Sequence, residues 1–121
     1  MNGTEKVLLD SVRFGFKEVS FDPDNGMFLN GKHIKIRGAG IHQDFGGFGV
    51  AVPKSVSRYK IRMLKEMGMN AYRTAHHATS VDILNACDEM GMLVIDETRM
   101  FGSSPEALRQ LEDMVCQHPR I

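Results

Sequence analysis

The sequence predicts an α/β fold in which a β-hairpin precedes three strands that alternate with three helices. The tetrapeptide Glu-Met-Gly-Met occurs twice, at 66–69 and 89–92, each time between an amphipathic stretch and a short apolar run. Polar residues follow each apolar run, and parallel α/β proteins carry their chemistry at the carboxyl ends of their strands. No Gly-x-Gly-x-x-Gly follows a strand, so the fingerprint of a dinucleotide-binding open sheet is missing. The pattern therefore favours a parallel barrel over a doubly wound sheet.

The N-terminal part of the chain is predicted to form β-structure. Apolar and polar residues alternate over 11–29, which is typical of strands. Residues 22–26 predict a turn, and Asn30-Gly31 is a strong hairpin motif. The alternation continues to Ile36, so we expect one strand to run from the hairpin to about residue 40.

A glycine-rich loop over 39–52 separates this strand from the first helix. Loops of this length inside a compact domain usually carry function. Pro53 and Ser55 begin the helix, and Gly68 ends it. Its predicted buried face consists of Val56, Tyr59, Met63, Leu64 and Met67. The second strand follows at 70–72.

The next two helices have equally clear boundaries. Ser80 is the predicted cap of the second helix and Gly91 its end, before a third strand at Leu93–Ile95. The predicted inner face of the second helix is Ile83, Leu84, Cys87 and Met90. Ser103 or Ser104 with Pro105 begins the third helix, whose apolar face is Leu108, Leu111 and Val115.

The composition excludes several classes of protein. The length of 121 residues corresponds to a single domain, and 15 basic residues balance 15 acidic ones. Without a basic patch we expect no nucleic-acid or anionic-membrane partner, and no apolar run reaches the roughly 18 residues of a membrane span. The first residues show no apolar targeting segment, which makes the cytoplasm the default expectation. Cys87, on a helix face, is expected to be a buried thiol rather than half of a disulfide.

Six polar residues at the predicted strand ends are the candidate site residues. They are His42 and Asp44 after the first strand, Arg73 and His76 after the second, and Asp96 and Glu97 after the third. One alternative is a metal-dependent hydrolase, because histidine and carboxylate side chains are good zinc ligands. Another is that Arg73 forms a structural salt bridge, and that the histidines only shape their loops. His77 is expected to face solvent.

Several segments of the chain resemble glycoside hydrolase family 2, which includes β-galactosidases, β-glucuronidases and β-mannosidases. The resemblance is carried by residues 37–44, 64–76 and 87–97, with support from 14–16 and 27–32. It implies a partial (β/α)8 TIM barrel, made of its first three βα units and preceded by a short β segment from the end of a β-sandwich domain. Residues 1–25 would be the tail of that sandwich and 26–121 the start of the barrel. Residues 42–46 and 102–105 look most like bacterial β-galactosidases.

The family's activity implies roles for the candidate residues. A retaining glycosidase needs two carboxyl groups about 5–5.5 Å apart. Adjacent residues on a strand point to opposite faces, so Asp96 and Glu97 cannot form that pair. By resemblance the acid/base and the nucleophilic glutamates lie beyond Ile121, and Arg73 would support the nucleophile. His42 and His76 would contact sugar hydroxyls. Asp96 or Glu97 would orient groups on the pocket floor, and the other would face the helices, paired with a lysine or arginine.

The resemblance further implies a carbohydrate substrate and no cofactor or metal. The isolated chain is expected to be inactive, and a truncated barrel with exposed strand edges is expected to self-associate. The chain departs from the family pattern at Gly40-Ile41 and at residues 75–78, Ala-His-His-Ala, which lack the usual proline. These departures leave the sugar specificity open.

Overall fold

The computed structural model describes residues 11, 14–99 and 102–117. The helices and strands follow one another as β1 Val19–Asp22, β2 Gly26–Leu29, β3 Lys32–Ile34, β4 Gly38–Ile41, α1 Lys54–Glu66, β5 Ala71–Thr74, α2 Val81–Met90, β6 Leu93–Ile95 and α3 Pro105–Gln117. The predicted hairpin and the alternation of strands with helices are confirmed. No helix in the described part of the chain is long and apolar enough to cross a membrane.

An antiparallel sheet of β1, β2 and β3 precedes the α/β part. Asp22 closes the first turn, because its Oδ1 accepts the backbone N–H of Asn25 at 2.7 Å. This hydrogen bond is the main cause of the lowered pKa of the Asp22 carboxyl group. Asn30 and Gly31 adopt positive φ angles of 50° and 74° in the second turn, as the hairpin motif predicts. The β-structure expected from residue 11 begins only at Val19, since 14–18 form no strand and Val12 lies outside the described residues.

The expected single strand from the hairpin to residue 40 is wrong, because the chain leaves the first sheet after Ile34 and enters a second at Gly38. Asn70 holds the connecting segment in place. Its side chain donates to the Lys35 carbonyl at 2.9 Å and accepts the Arg37 N–H at 2.7 Å. These bonds replace the ladder hydrogen bonds that a continuous strand would make. The domain boundary near residue 25 stays a prediction.

The second sheet is parallel, with the strand order β4-β5-β6. Its register aligns Gly40 with Arg73 and Arg73 with Ile95. Because side chains alternate along a strand, Arg73 points to one face of the sheet while Tyr72 and Thr74 point to the other. The helices cover the Tyr72 face, so Arg73 lies on the open face.

The core lies between this sheet and helices α1 and α2. Its buried residues are Ile61, Leu64, Tyr72, Ile83, Ala86, Cys87 and Met92. Arg58 on α1 and Glu89 on α2 form an ion pair across the two helices. Burial raises the pKa values of Tyr72 and Cys87, each to about 12. Cys87 is the buried free thiol that the sequence predicts.

The predicted inner face of α1 is partly wrong. Tyr59 and Met67 are exposed, at 45% and 71% of their surface, whereas Ser57, Ile61 and Leu64 are buried. The spacing of four and three residues between the buried side chains is still helical. The stripe is rotated because α1 packs against α2 and the shared core along that line, which the apolar pattern alone did not specify.

The ends of the helices follow the local sequence. The Ser80 Oγ accepts the Ile83 N–H at 3.4 Å, and the Ser104 Oγ accepts the Ala107 N–H at 3.2 Å. Gly68 and Gly91 have the positive φ angles of residues that terminate helices. The inner face of α2 is confirmed, but the predicted face of α3 is exposed: 53% for Leu108, 46% for Leu111 and 60% for Val115.

Candidate active site

Arg73 lies near the carboxyl end of β5, on the face of the sheet that the helices leave open. A Cβ atom on Gly40, its neighbour on β4, would lie 3.2 Å from the Arg73 Nη1. The missing side chain thus leaves room for the guanidinium to lie over β4. The Arg73 side chain remains 45% exposed, so it combines a fixed position with access to solvent.

Glu97 receives two basic side chains on its carboxylate. The Arg73 Nε pairs with its Oε1, and the His76 Nδ1 lies 3.0 Å from its Oε2. Only 9% of the Glu97 side chain is exposed. Charge-assisted hydrogen bonds of this kind fix the orientation of a carboxylate. Three of the six predicted residues are therefore brought together by β5, the loop after it and the segment after β6.

Asp96 lies behind this cluster, toward the helices. Its Oδ1 accepts the Thr74 hydroxyl at 2.7 Å and the Thr79 N–H at 3.3 Å. The expectation that the acid facing the helices pairs with a lysine or arginine is wrong, because the partners of Asp96 are two threonines, both bound to its Oδ1. The two acids follow β6 rather than lie within it, yet they still diverge.

His42 and Asp44 lie in the loop after β4. The His42 ring meets the His76 ring edge to face, with centroids 5.6 Å apart. Lys60 on α1 holds this loop, because its Nζ donates to the carbonyl oxygens of His42 at 2.8 Å and Asp44 at 3.1 Å. Burial lowers the pKa of Lys60, and the Asp44 carboxylate opposes that shift. His42 thus joins the cluster, whereas Asp44 takes part through its carbonyl oxygen, which helps Lys60 hold the loop.

His77 does not face solvent as expected, since only 7% of its surface is exposed. Its Nδ1 lies 2.7 Å from the Ala78 carbonyl, which can only accept, so the ring proton is on Nδ1. The Nε2 is buried without a hydrogen-bond partner among the described residues. The chain turns His77 inward where it leaves β5, immediately after the outward-facing His76.

Three contributors to the cluster were not predicted from the sequence: Lys60, Thr74 and Thr79. Thr74 is fully buried and Thr79 is 6% exposed. A threonine in or after an apolar strand is ordinarily a packing residue, so the sequence carries no signal for either threonine. Lys60 had a weak signature, because it precedes Ile61 on the helix face that meets the sheet.

The cluster's chemistry suits binding and orientation. Asp96 and Glu97 bind different partners on different sides, so they are not the facing carboxyl pair of a retaining glycosidase. Within 11, 14–99 and 102–117, no three His, Cys, Asp or Glu side chains are grouped so that they could hold a metal ion.

Comparison with known proteins identifies the family. The family model described as the TIM barrel domain of glycosyl hydrolases family 2 matches residues 23–117. The chain belongs to glycoside hydrolase family 2. The predicted resemblance is confirmed. The three parallel strands with their helices match part of the family 2 barrel domain, and the part of the chain that the structure describes forms no closed barrel.

Individual family 2 members support the same assignment. The chain is 43% identical over 119 residues to a β-galactosidase of Thermoanaerobacterium thermosulfurigenes, covering 90% of this chain and 16% of that protein. It is 36% identical over 97 residues to a putative β-glucuronidase of Formosa agariphila, covering 80% of this chain and 9% of that protein. The chain thus spans a small part of the curated relatives it matches.

Solved structures agree with the sequence relatives. The crystal structure of Parabacteroides merdae β-glucuronidase superposes with a TM-score of 0.81 and 36% identity, covering 90% of this chain and 14% of that one. A β-glycosidase from Bacteroides vulgatus gives a TM-score of 0.79 at 33% identity, covering 88% and 16%. Both confirm the fold class, and both come from carbohydrate-active enzymes.

Proposed function

We propose that this chain supplies the supporting and sugar-binding part of a retaining glycosidase site that acts on β-galactosides or related β-glycosides. The contact of Arg73 and His76 with one nearly buried carboxylate, Glu97, carries the proposal. This cluster lies at the carboxyl end of parallel strands, where barrel enzymes place their active sites. The relatives named above include enzymes on β-galactosides and β-glucuronides, which favours the same substrate classes.

The proposed roles follow from the donor and acceptor chemistry of each residue. The guanidinium of Arg73 has five N–H donors, and its Nε is engaged by Glu97, so its half-exposed end can support a second carboxylate. The imidazole rings of His76 and His42 lie beside each other at the open face of the sheet, where ring nitrogens can bond sugar hydroxyls. Glu97 orients Arg73 and His76 on the pocket floor.

The isolated chain is proposed to be catalytically inactive. Catalysis needs an acid/base and a nucleophilic carboxyl group about 5–5.5 Å apart, and the two acids of the cluster diverge. The reacting carboxyl groups would come from segments outside these 121 residues. Aryl β-galactoside and aryl β-glucuronide assays on the purified chain should give only background hydrolysis. Turnover in a preparation free of host enzymes would contradict the inactivity.

A chimera tests the proposed roles. Residues 23–117 would replace the matching segment of the T. thermosulfurigenes β-galactosidase, which supplies the rest of the barrel. Arg73→Lys should lower kcat/KM on an aryl β-galactoside by about ten- to hundredfold, because lysine cannot reproduce the geometry of the guanidinium.

Arg62→Lys is the matched control, since Arg62 lies on the exposed side of α1 and pairs only loosely with Glu66, at 3.8 Å. Its kcat/KM should stay within about twofold of the unsubstituted chimera, as expected for an exposed ion pair. An active chimera that Arg73→Lys leaves unchanged would refute the supporting role of Arg73.

A further inference from the structure

Thr74 makes two hydrogen bonds that tie the end of β5 to the segment after β6. Its hydroxyl donates to the Asp96 Oδ1 at 2.7 Å and accepts the backbone N–H of Glu97 at 3.0 Å. The residue is fully buried, with 0% of its surface exposed. A hydroxyl that both donates and accepts, shielded from water, fixes the backbone at residue 97 from one side.

Asp96 extends this connection to the loop that carries His76. The same Oδ1 also accepts the Thr79 N–H at 3.3 Å, at the far end of that loop. Its Oδ2 is buried and has no hydrogen-bond partner among the described residues. Burying a carboxylate oxygen without a hydrogen-bond partner costs free energy. If Asp96 only filled space, an apolar side chain at this position would avoid that cost.

We propose that Thr74 and Asp96 are positioning residues that set the geometry of the Glu97–Arg73–His76 cluster from the helix side of the sheet. Thr74 holds the backbone of Glu97, and Asp96 holds both Thr74 and the loop after His76. This inference rests on the proposed function and deepens it, since it divides the two adjacent acids. Glu97 faces the pocket, and Asp96 acts only through its neighbours.

Hydrogen exchange in the 121-residue chain, followed by NMR, tests the proposal. Two protons report on the cluster: the Glu97 amide proton, which Thr74 accepts, and the Arg73 Nε–H, which pairs with the Glu97 carboxylate. Thr74→Val keeps the shape of the side chain and removes the hydroxyl. The Glu97 amide should then exchange about three- to tenfold faster, and the Arg73 Nε–H should lose protection with it.

Two further variants separate positioning from packing. Thr74→Ser retains the hydroxyl and should restore the protection of both protons. Thr79→Val changes a threonine that is also buried but reaches Asp96 through its backbone N–H, so it should leave both protons protected. Unchanged exchange in Thr74→Val, failure of Thr74→Ser to restore it, or an equal effect of Thr79→Val would each overturn the proposal.

If Thr74→Val does not fold, hydrogen exchange in the unsubstituted chain tests the proposal. A Glu97 amide that is protected at the level of the β5–β6 ladder supports the proposal, and one that exchanges as in an unstructured peptide overturns it. None of these measurements requires a sugar or a catalytic cycle. They can therefore fail while the chimera is active, or succeed while it is inactive, which separates this inference from the proposed function.

Discussion

At the residue scale, the direction of the chain after β6 decides which acid lies on the open face of the sheet. Side chains alternate beyond Ile95, so Glu97 points to the open face with Arg73, and Asp96 points to the helix side with Thr74. The sequence predicted this divergence from the adjacency of the two acids. It did not predict which acid took which side, because that depends on the face that the helices cover.

Burial of two ionisable side chains makes the free energy of unfolding fall at alkaline pH. Cys87 and Tyr72 have pKa values raised to about 12 by burial, against 9.0 and 10.0 for the free groups. The unfolded chain therefore loses these protons first. Their contribution is complete below about pH 9 and is lost as pH rises toward 12. Urea denaturation from pH 7 to pH 11 should show a falling free energy of unfolding above about pH 9.

Variants of the two cysteines test whether burial of Cys87 causes this decline. Cys87→Ala should flatten the decline in the free energy of unfolding above about pH 9, although it lowers stability at neutral pH by removing a buried group. Cys116→Ala is the matched control, because Cys116 is exposed, and the decline should persist in it. An equally steep decline in Cys87→Ala and the unsubstituted chain would show that burial of Cys87 is not a cause.

At the element scale, helix boundaries depend on neighbours within a few residues, whereas helix faces depend on the partner. Ser80, Gly68 and Gly91 begin or end helices where expected. The inner face of α1 was predicted from apolar residues alone, and Tyr59 and Met67 proved exposed because α2 and the shared core meet a different stripe. Similarly, Asn70 divides a run that alternated like one strand.

The position of α1 on the sheet predicts unequal effects of two substitutions. Ile61→Ala removes a fully buried side chain and should lower the free energy of unfolding by about 2–5 kcal/mol. Met67→Ala, at a position where 71% of the residue is exposed, should change it by less than about 0.5 kcal/mol. Chemical denaturation measures both. Equal losses would mean that α1 is rotated from the orientation described above.

At the scale of the whole molecule, apolar surface and strand edges stay uncovered. Among the described residues, β4 and β6 each pair along one edge only. The α3 face of Leu108, Leu111 and Val115 is exposed. Unpaired strand edges and contiguous apolar faces promote association between chains.

We therefore expect the isolated chain to self-associate. Light scattering should show a mass above the 13.5 kDa of one chain that rises with concentration. Replacing Leu108, Leu111 and Val115 with serine should lower that mass, whereas Val50→Ser, which removes a single exposed apolar residue from a loop, should not. A single monomeric species with cooperative unfolding would contradict the expectation.

The sequence by itself determined the α/β class, the hairpin, the order of the elements, the family and the six candidate residues. These features depend on local turn chemistry, helix caps and polar residues at strand ends, all of which are contiguous in the chain. Only the tertiary structure decided the buried stripe of α1, the inward turn of His77 and the hydrogen bonds of Lys60 and Thr74. Those depend on contacts between segments distant in sequence, such as Lys60 with the loop of His42 and Thr74 with Asp96.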